Sequence, residues 1–205
     1  MHQHKYCLRA PVPEISTAAR LLDLAVSAHQ DGNVERAAAL IEQANFKEIR
    51  EWTESLWGTH SPHVQARVSP SQPPHQPKGL RPPVRMPDLA DRVRLIARDG
   101  LHCRFCDIPL IRREVRERIR KFYPNIWGRS NRDQHAAFQA MWLQYDHVVP
   151  YARGGDNSFA NMVIACAPCN YARMDLTLEE VGLYDPRSRA PVRSQWDGLE
   201  RFPSA

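Results

Sequence analysis

Four cysteines, Cys103, Cys106, Cys166 and Cys169, form two C-x-x-C knuckles about sixty residues apart. A C-x-x-C turn is short enough for both of its thiolates to reach one tetrahedral ion, and four thiolates with no open position make a structural zinc site. The competing chemistry is a pair of thioredoxin-like redox dithiols, but neither pair sits in a strand-to-helix context and each finds its match elsewhere in the chain. Between the knuckles stands Asp146-His147, within the stretch from Tyr145 to Arg173 around which the rest of the chain is organised.

The elements that must carry these residues are legible in the same stretch. Gln144 to Pro150 is apolar, β-branched and ended by proline, as a short strand would be, and Gly154-Gly155-Asp156-Asn157 supplies turn chemistry. Asn161 to Cys166 reads as the returning strand, and the residues after Cys169 read as a short helix. Strand, loop, strand and helix around a metal are a ββα arrangement. On the first strand Asp146 and His147 point to opposite faces, so they share a task only if the strand twists or ends there.

This ordered set of cysteines, Asp-His, Gly-Gly, Asn and C-x-x-C-Asn resembles the HNH, or His-Me finger, endonucleases, specifically the branch whose ββα core is stapled by a four-cysteine zinc. The resemblance covers roughly residues 88–175. It implies hydrolysis of DNA phosphodiester bonds, with His147 as general base, suited by an unperturbed pKa of about 6.5. It also implies that Asp146 and Asn170 hold one Mg²⁺ or Mn²⁺ ion bridging the scissile phosphate and the leaving 3′ oxygen, since such ions prefer hard oxygen ligands. Asn161 would hold the loop backbone and so orient His147. The third motif position is Asn170 rather than His. Arg173 occupies the place of a further His found in colicin-type members, and Arg153 and Arg173 are expected to meet phosphates. The rival is a catalytically silent, zinc-stabilised nucleic-acid-binding or adaptor module, disfavoured because Asp146, His147, Asn161 and Asn170 are all present.

The predicted fold class is α+β: a small zinc-stapled ββα core with surrounding helices, plus an N-terminal helical hairpin. The 205 residues suffice for one well-packed domain and a smaller appendage. Residues 1–60 are expected to form the hairpin. Ala18, Leu21, Leu22, Ala25 and Val26 share one helical face, Asp31-Gly32-Asn33 breaks it, and Ala37, Leu40, Ile41, Ile49, Trp52 and Leu56 continue the pattern. That hairpin is expected to pack on the catalytic unit, pair in a homodimer or hold a protein partner. Residues 61–87 contain eight prolines and read as an extended, semi-rigid linker. His60 and His63 flank its start at metal-like spacing, but with no further ligand beside them they read as linker histidines.

The nuclease domain is expected over 88–184. Asp88 caps a helix with Leu89, Val93 and Ile96 on one face, ended by Gly100, and Thr177 with Glu180 makes a capping box for a last short helix. Within the insertion 107–144, residues 112–121 carry Arg112, Arg113, Arg116, Arg118, Arg120 and Lys121 against only Glu114 and Glu117. With a net charge of +5 and a pI near 9.1, this focused basic stretch points to a polyanion, and Arg113, Arg116 and Arg120 are candidate phosphate contacts. Residues 185–205 have no periodicity and read as an irregular tail anchored by Trp196. No apolar run approaches a membrane span and the N-terminal residues lack a signal-peptide core, so a cytoplasmic location is expected. Thiols stay reduced there, which again favours metal over disulfide and leaves Cys7 unengaged.

Overall fold

The alanine and leucine stripe of the N-terminal region folds into α1 (Glu14–Gln30), with Ile15, Ala18, Leu22, Ala25 and Val26 buried on one face. Gly32, at φ 78°, turns the chain where a side chain would strain it. Asn33 then caps α2 (Val34–Gln43), its side chain accepting from the Arg36 amide at 3.1 Å. The helical pattern breaks at Asn45, whose Oδ1 is spent on the Ala136 amide at 2.7 Å, and resumes in α3 (Lys47–Leu56), with Ile49, Trp52 and Leu56 fully buried. These details come from a computed structural model, which describes residues 4–57, 61–67, 72–83, 85–128, 130 and 133–203. His60 lies outside the described residues.

The rest of the chain adds α4 (Leu89–Asp99), α5 (Arg113–Phe122), α6 (Ala136–Ala140), β1 (Leu143–His147), β2 (Met162–Cys166) and α7 (Ala167–Arg173). The class is α+β. The two strands pair antiparallel, with Leu143 opposite Cys166 and His147 opposite Met162. A two-stranded ribbon is marginal alone and exposes unpaired edge groups. Here the outer edge of β2 is capped without a third strand: the Ile164 amide donates to Asp99 Oδ2 at 3.1 Å, and its carbonyl accepts from the Arg104 amide at 3.0 Å. That use of Asp99 sets the orientation of α4. Asp88 caps it and Gly100 ends it as predicted, but Leu89 and Val93 face solvent while Leu95 and Asp99 are buried. The capping box also forms, with the Thr177 amide donating to Glu180 at 2.8 Å, yet it closes a series of turns instead of a helix.

The hairpin does not stand apart. Its buried residues and those around the ribbon form one contiguous cluster, with α3 packed on α6 and α7. Of the three expected uses of the hairpin, packing on the rest of the chain is the one that covers its apolar face here. The C-terminal tail contributes to the same core: Leu199 and Phe202 are buried, Phe202 stacks on His29 at 4.5 Å, and Trp196 donates to the Leu110 carbonyl at 2.8 Å. Among the described residues no helix is long and apolar enough to cross a membrane.

His135 sits fully buried at the seam between hairpin and core. Its Nε2–H donates to the Ile41 carbonyl at 2.6 Å, and Nδ1 has no hydrogen-bond partner among the described residues. Burial pushes its pKa down to about 4, so it stays neutral in the folded protein. The unfolded chain binds this proton below about pH 6.5, so stability is complete above that value and falls as pH drops toward 4, by at most about 3 kcal/mol. Denaturant unfolding at pH 7 and pH 4.5 should show a smaller loss for His135→Gln than for wild type. An equal loss in both would mean that His135 has no part in it.

Candidate active site

Each knuckle is built by backbone geometry. In the first, the Cys103 amide donates to the Ile108 carbonyl at 2.9 Å and the Asp107 amide to the Cys103 carbonyl at 3.0 Å, with Asp107 in the left-handed region at φ 66°. In the second, Cys166 ends β2 and caps α7, its Sγ accepting from the Cys169 amide at 3.4 Å. The ribbon and the Arg104–Ile164 bond bring the four sulfurs within 4.8 Å of one another, all buried. The Cys106–Cys166 sulfur separation of 3.6 Å is far too long for a disulfide and close to the edge, roughly 3.8 Å, of a tetrahedron of sulfurs around zinc. Cys7 lies outside this cluster.

The clamp draws the start of α7 against the end of β1. There a cleft of about 700 Å³ is lined by Asp146, His147, Tyr151, Asn170, Tyr171, Asp175, Arg81 and Arg85, among others. His147 closes the strand, which lets it share the cleft with Asp146 although neighbours on a strand diverge. Its Nε2 lies 2.9 Å from Asn157 Oδ1. That oxygen can only accept, so Nε2 carries the proton and the lone pair of the neutral ring is on Nδ1. Burial lowers the His147 pKa, against the opposing pull of Asn157 and Asp146.

Asn161 fixes the turn that follows. Its Oδ1 accepts from the Val149 amide at 2.8 Å, and its Nδ2 donates to the Val149 and Asp156 carbonyls at 3.2 and 2.9 Å. Its own carbonyl accepts from the Val148 amide at 2.7 Å. Gly155 is required beside it, because a Cβ there would lie 1.8 Å from the Val149 oxygen. Asn170 also lines the cleft, and its side chain makes no hydrogen bond with any described residue, which leaves the amide oxygen free to ligate.

Asp146 is buried and held by Arg173, with contacts of 2.6 and 3.3 Å to its two carboxylate oxygens. Arg173 is itself 1% exposed and further donates to the carbonyls of His147, Val148 and Leu176. Burial raises the Asp146 pKa and Arg173 counteracts it. A carboxylate has about four acceptor positions, so the pair leaves Asp146 two with which to bind a hard cation. The donor set of Asp146 and Asn170 therefore fits Mg²⁺ or Mn²⁺ in kind.

A family model described as HNH endonuclease matches residues 131–175. The chain carries an HNH domain. The match spans α6, the ribbon and α7, with Asp146, His147, Asn161, Asn170 and the second knuckle inside it, while the first knuckle joins the HNH domain from upstream. No curated protein and no solved structure matches the chain.

Around the HNH domain the arginines divide by environment. Arg113 and Arg120 are exposed on α5, Arg113 paired with Glu117 at 2.7 Å. Arg116 instead turns inward between the rings of Trp142 and Trp127, at 4.4 and 5.3 Å, and burial lowers its pKa to about 10. Arg153 is tied to Glu180 at 2.9 Å and to the carbonyls of Pro73 and Asp175. Arg153 and Arg173, expected to face phosphates, are thus placed as internal fasteners. Asn157 is legible in the sequence only as turn chemistry, although an amide ten residues after His147 in a tight loop is a candidate to hold its ring. Arg81 and Arg85 are concealed there by their proline-rich surroundings.

Proposed function

We propose that this protein is a metal-dependent endonuclease that hydrolyses phosphodiester bonds in DNA. One observation carries the reading: His147, its Nε2 held 2.9 Å from Asn157 Oδ1 so that the neutral ring has its lone pair on Nδ1, lies in the same cleft as Asp146 and Asn170. In this reading His147 takes a proton from a water molecule through Nδ1. The water oxygen bonds to phosphorus, the bond from phosphorus to the 3′ oxygen breaks, and that oxygen takes a proton from solvent. Asp146 and Asn170 would hold Mg²⁺ or Mn²⁺, which supplies charge neutralisation for the phosphate and the leaving oxygen. Asn161 and Gly155 hold the loop that follows His147, and Asn157 holds its tautomer. The zinc of the cysteine cluster is structural in this reading, since four thiolates leave no open position.

A plasmid-nicking assay tests the reading. The wild type is expected to nick supercoiled DNA with Mg²⁺ or Mn²⁺ and to stop when that ion is omitted. His147→Ala should be slower by about 10²- to 10⁴-fold, the contribution of one general base. Wild-type inactivity on duplex, single-stranded and branched DNA would overturn the reading, as would undiminished cutting by His147→Ala.

A further inference from the structure

The proline-rich segment, expected as an extended, semi-rigid linker, is fastened along the cleft between Pro73 and Pro82. The Gln76 amide donates to the Ala152 carbonyl at 2.8 Å, and the Tyr151 hydroxyl donates to the Pro82 carbonyl at 2.7 Å. Further back, Arg153 donates to the Pro73 carbonyl at 2.6 Å. Gly154, at φ 89°, lies under this segment, where a Cβ would lie 2.4 Å from Nε2 of the Gln76 side chain. Prolines lower the entropy lost in holding such a strap in place.

The strap brings two cations to the cleft. Arg81 and Arg85 both line it, and their guanidinium groups stand over the ring of Tyr151 at 6.0 and 5.9 Å. Arg81 Nε is spent on the Gln76 carbonyl at 2.9 Å, while Arg85 is exposed and makes no hydrogen bond with a described residue. Neither forms an ion pair among the described residues; of the cleft's two carboxylates, Asp146 is paired with the buried Arg173, and Asp175 lies 3.4 Å from His75, an ion pair only when that imidazole is protonated. Two like charges sharing one aromatic ring with no counter-ion suit an incoming anion. The cleft shares Met86, Gln144 and Tyr145 with a second recess lined by Arg92, Arg112 and Arg113 with Glu114, so basic side chains continue beyond the cleft.

Resting on the endonuclease reading above, we propose that Arg81 and Arg85 bind the nucleic-acid phosphates flanking the scissile bond, which makes the strap a part of the substrate site. The test uses full-length protein and a fluorescent DNA duplex, with binding measured in the His147→Ala background and cleavage in the native one. Arg81→Ala/Arg85→Ala should weaken binding at least tenfold and reduce the slope of log affinity against log salt by about two, roughly one for each phosphate that is no longer neutralised. Arg85→Lys should keep the slope and recover part of the affinity. Arg36→Ala, on the exposed face of α2, should change neither. A merely structural strap would lower the melting temperature of the double variant and leave the salt slope intact, which overturns the proposal. So would cleavage by the double variant with wild-type KM and salt dependence. If the otherwise unaltered protein cuts no nucleic acid, it is the endonuclease reading that fails.

Discussion

Cys166→Ser is expected to abolish the folded HNH domain, with zinc content falling below one ion per chain. The size of the effect follows from what the cluster joins. The ribbon has only two strands, its α7 has only seven residues, and the knuckle at Cys103 reaches β2 through the Arg104–Ile164 bond. Structural zinc contributes about 10–16 kcal/mol to small metal-folded peptides, whereas whole domains are stable by about 5–15 kcal/mol. Loss of one thiolate also leaves three buried sulfurs without their cation. In the metal-free cluster the Cys106 thiol is pushed well up by burial and by Cys103, so it resists ionisation unless a cation is bound. Circular dichroism and metal analysis on wild type and Cys166→Ser provide the check. A variant that stays folded and zinc-free would refute the structural role, and strong chelation of the wild type should unfold it more readily than removal of Mg²⁺ does.

The ββα core and its four cysteines are legible in the sequence because metal and turn chemistry are local. C-x-x-C spacing, Gly-Gly in the turn and the β-branched run after His147 each constrain the backbone within a few residues. What stays hidden depends on pairings far apart along the chain. Nothing near Arg173 shows that its partner is Asp146 on another element, nor near Arg116 that two tryptophans enclose it. The face of α4 departs from expectation because a buried carboxylate, Asp99, outranks Leu89 and Val93 in choosing which side meets β2. A hydrophobic count ignores such a group, although a carboxylate capping an open strand edge can decide orientation. The prolines do specify extended chain, but composition does not reveal what extended chain lies upon.

Arg173→Met should destabilise the protein by about 3–5 kcal/mol, the usual result of stranding one member of a buried ion pair. Two separate losses combine here. Asp146 would keep a buried charge without its counter-ion, and the carbonyls of His147, Val148 and Leu176 would lose a donor. The double variant Asp146→Leu/Arg173→Met separates them. It removes the stranded charge, so it should be more stable than Arg173→Met alone, while the orphaned carbonyls keep it below wild type. Denaturant unfolding of the two single variants and the double closes the cycle, and a loss below about 1 kcal/mol in Arg173→Met would mean that water reaches Asp146 readily. Hydrophobic replacement of buried ion pairs is often harmless to stability, so an ion pair kept at this position calls for a functional reason. In the proposed enzyme that reason is alignment: Arg173 grips the Asp146 carboxylate and the His147 carbonyl together, which fixes the proposed metal ligand and the proposed base relative to one another. The double variant should therefore regain part of its stability and none of its nicking activity.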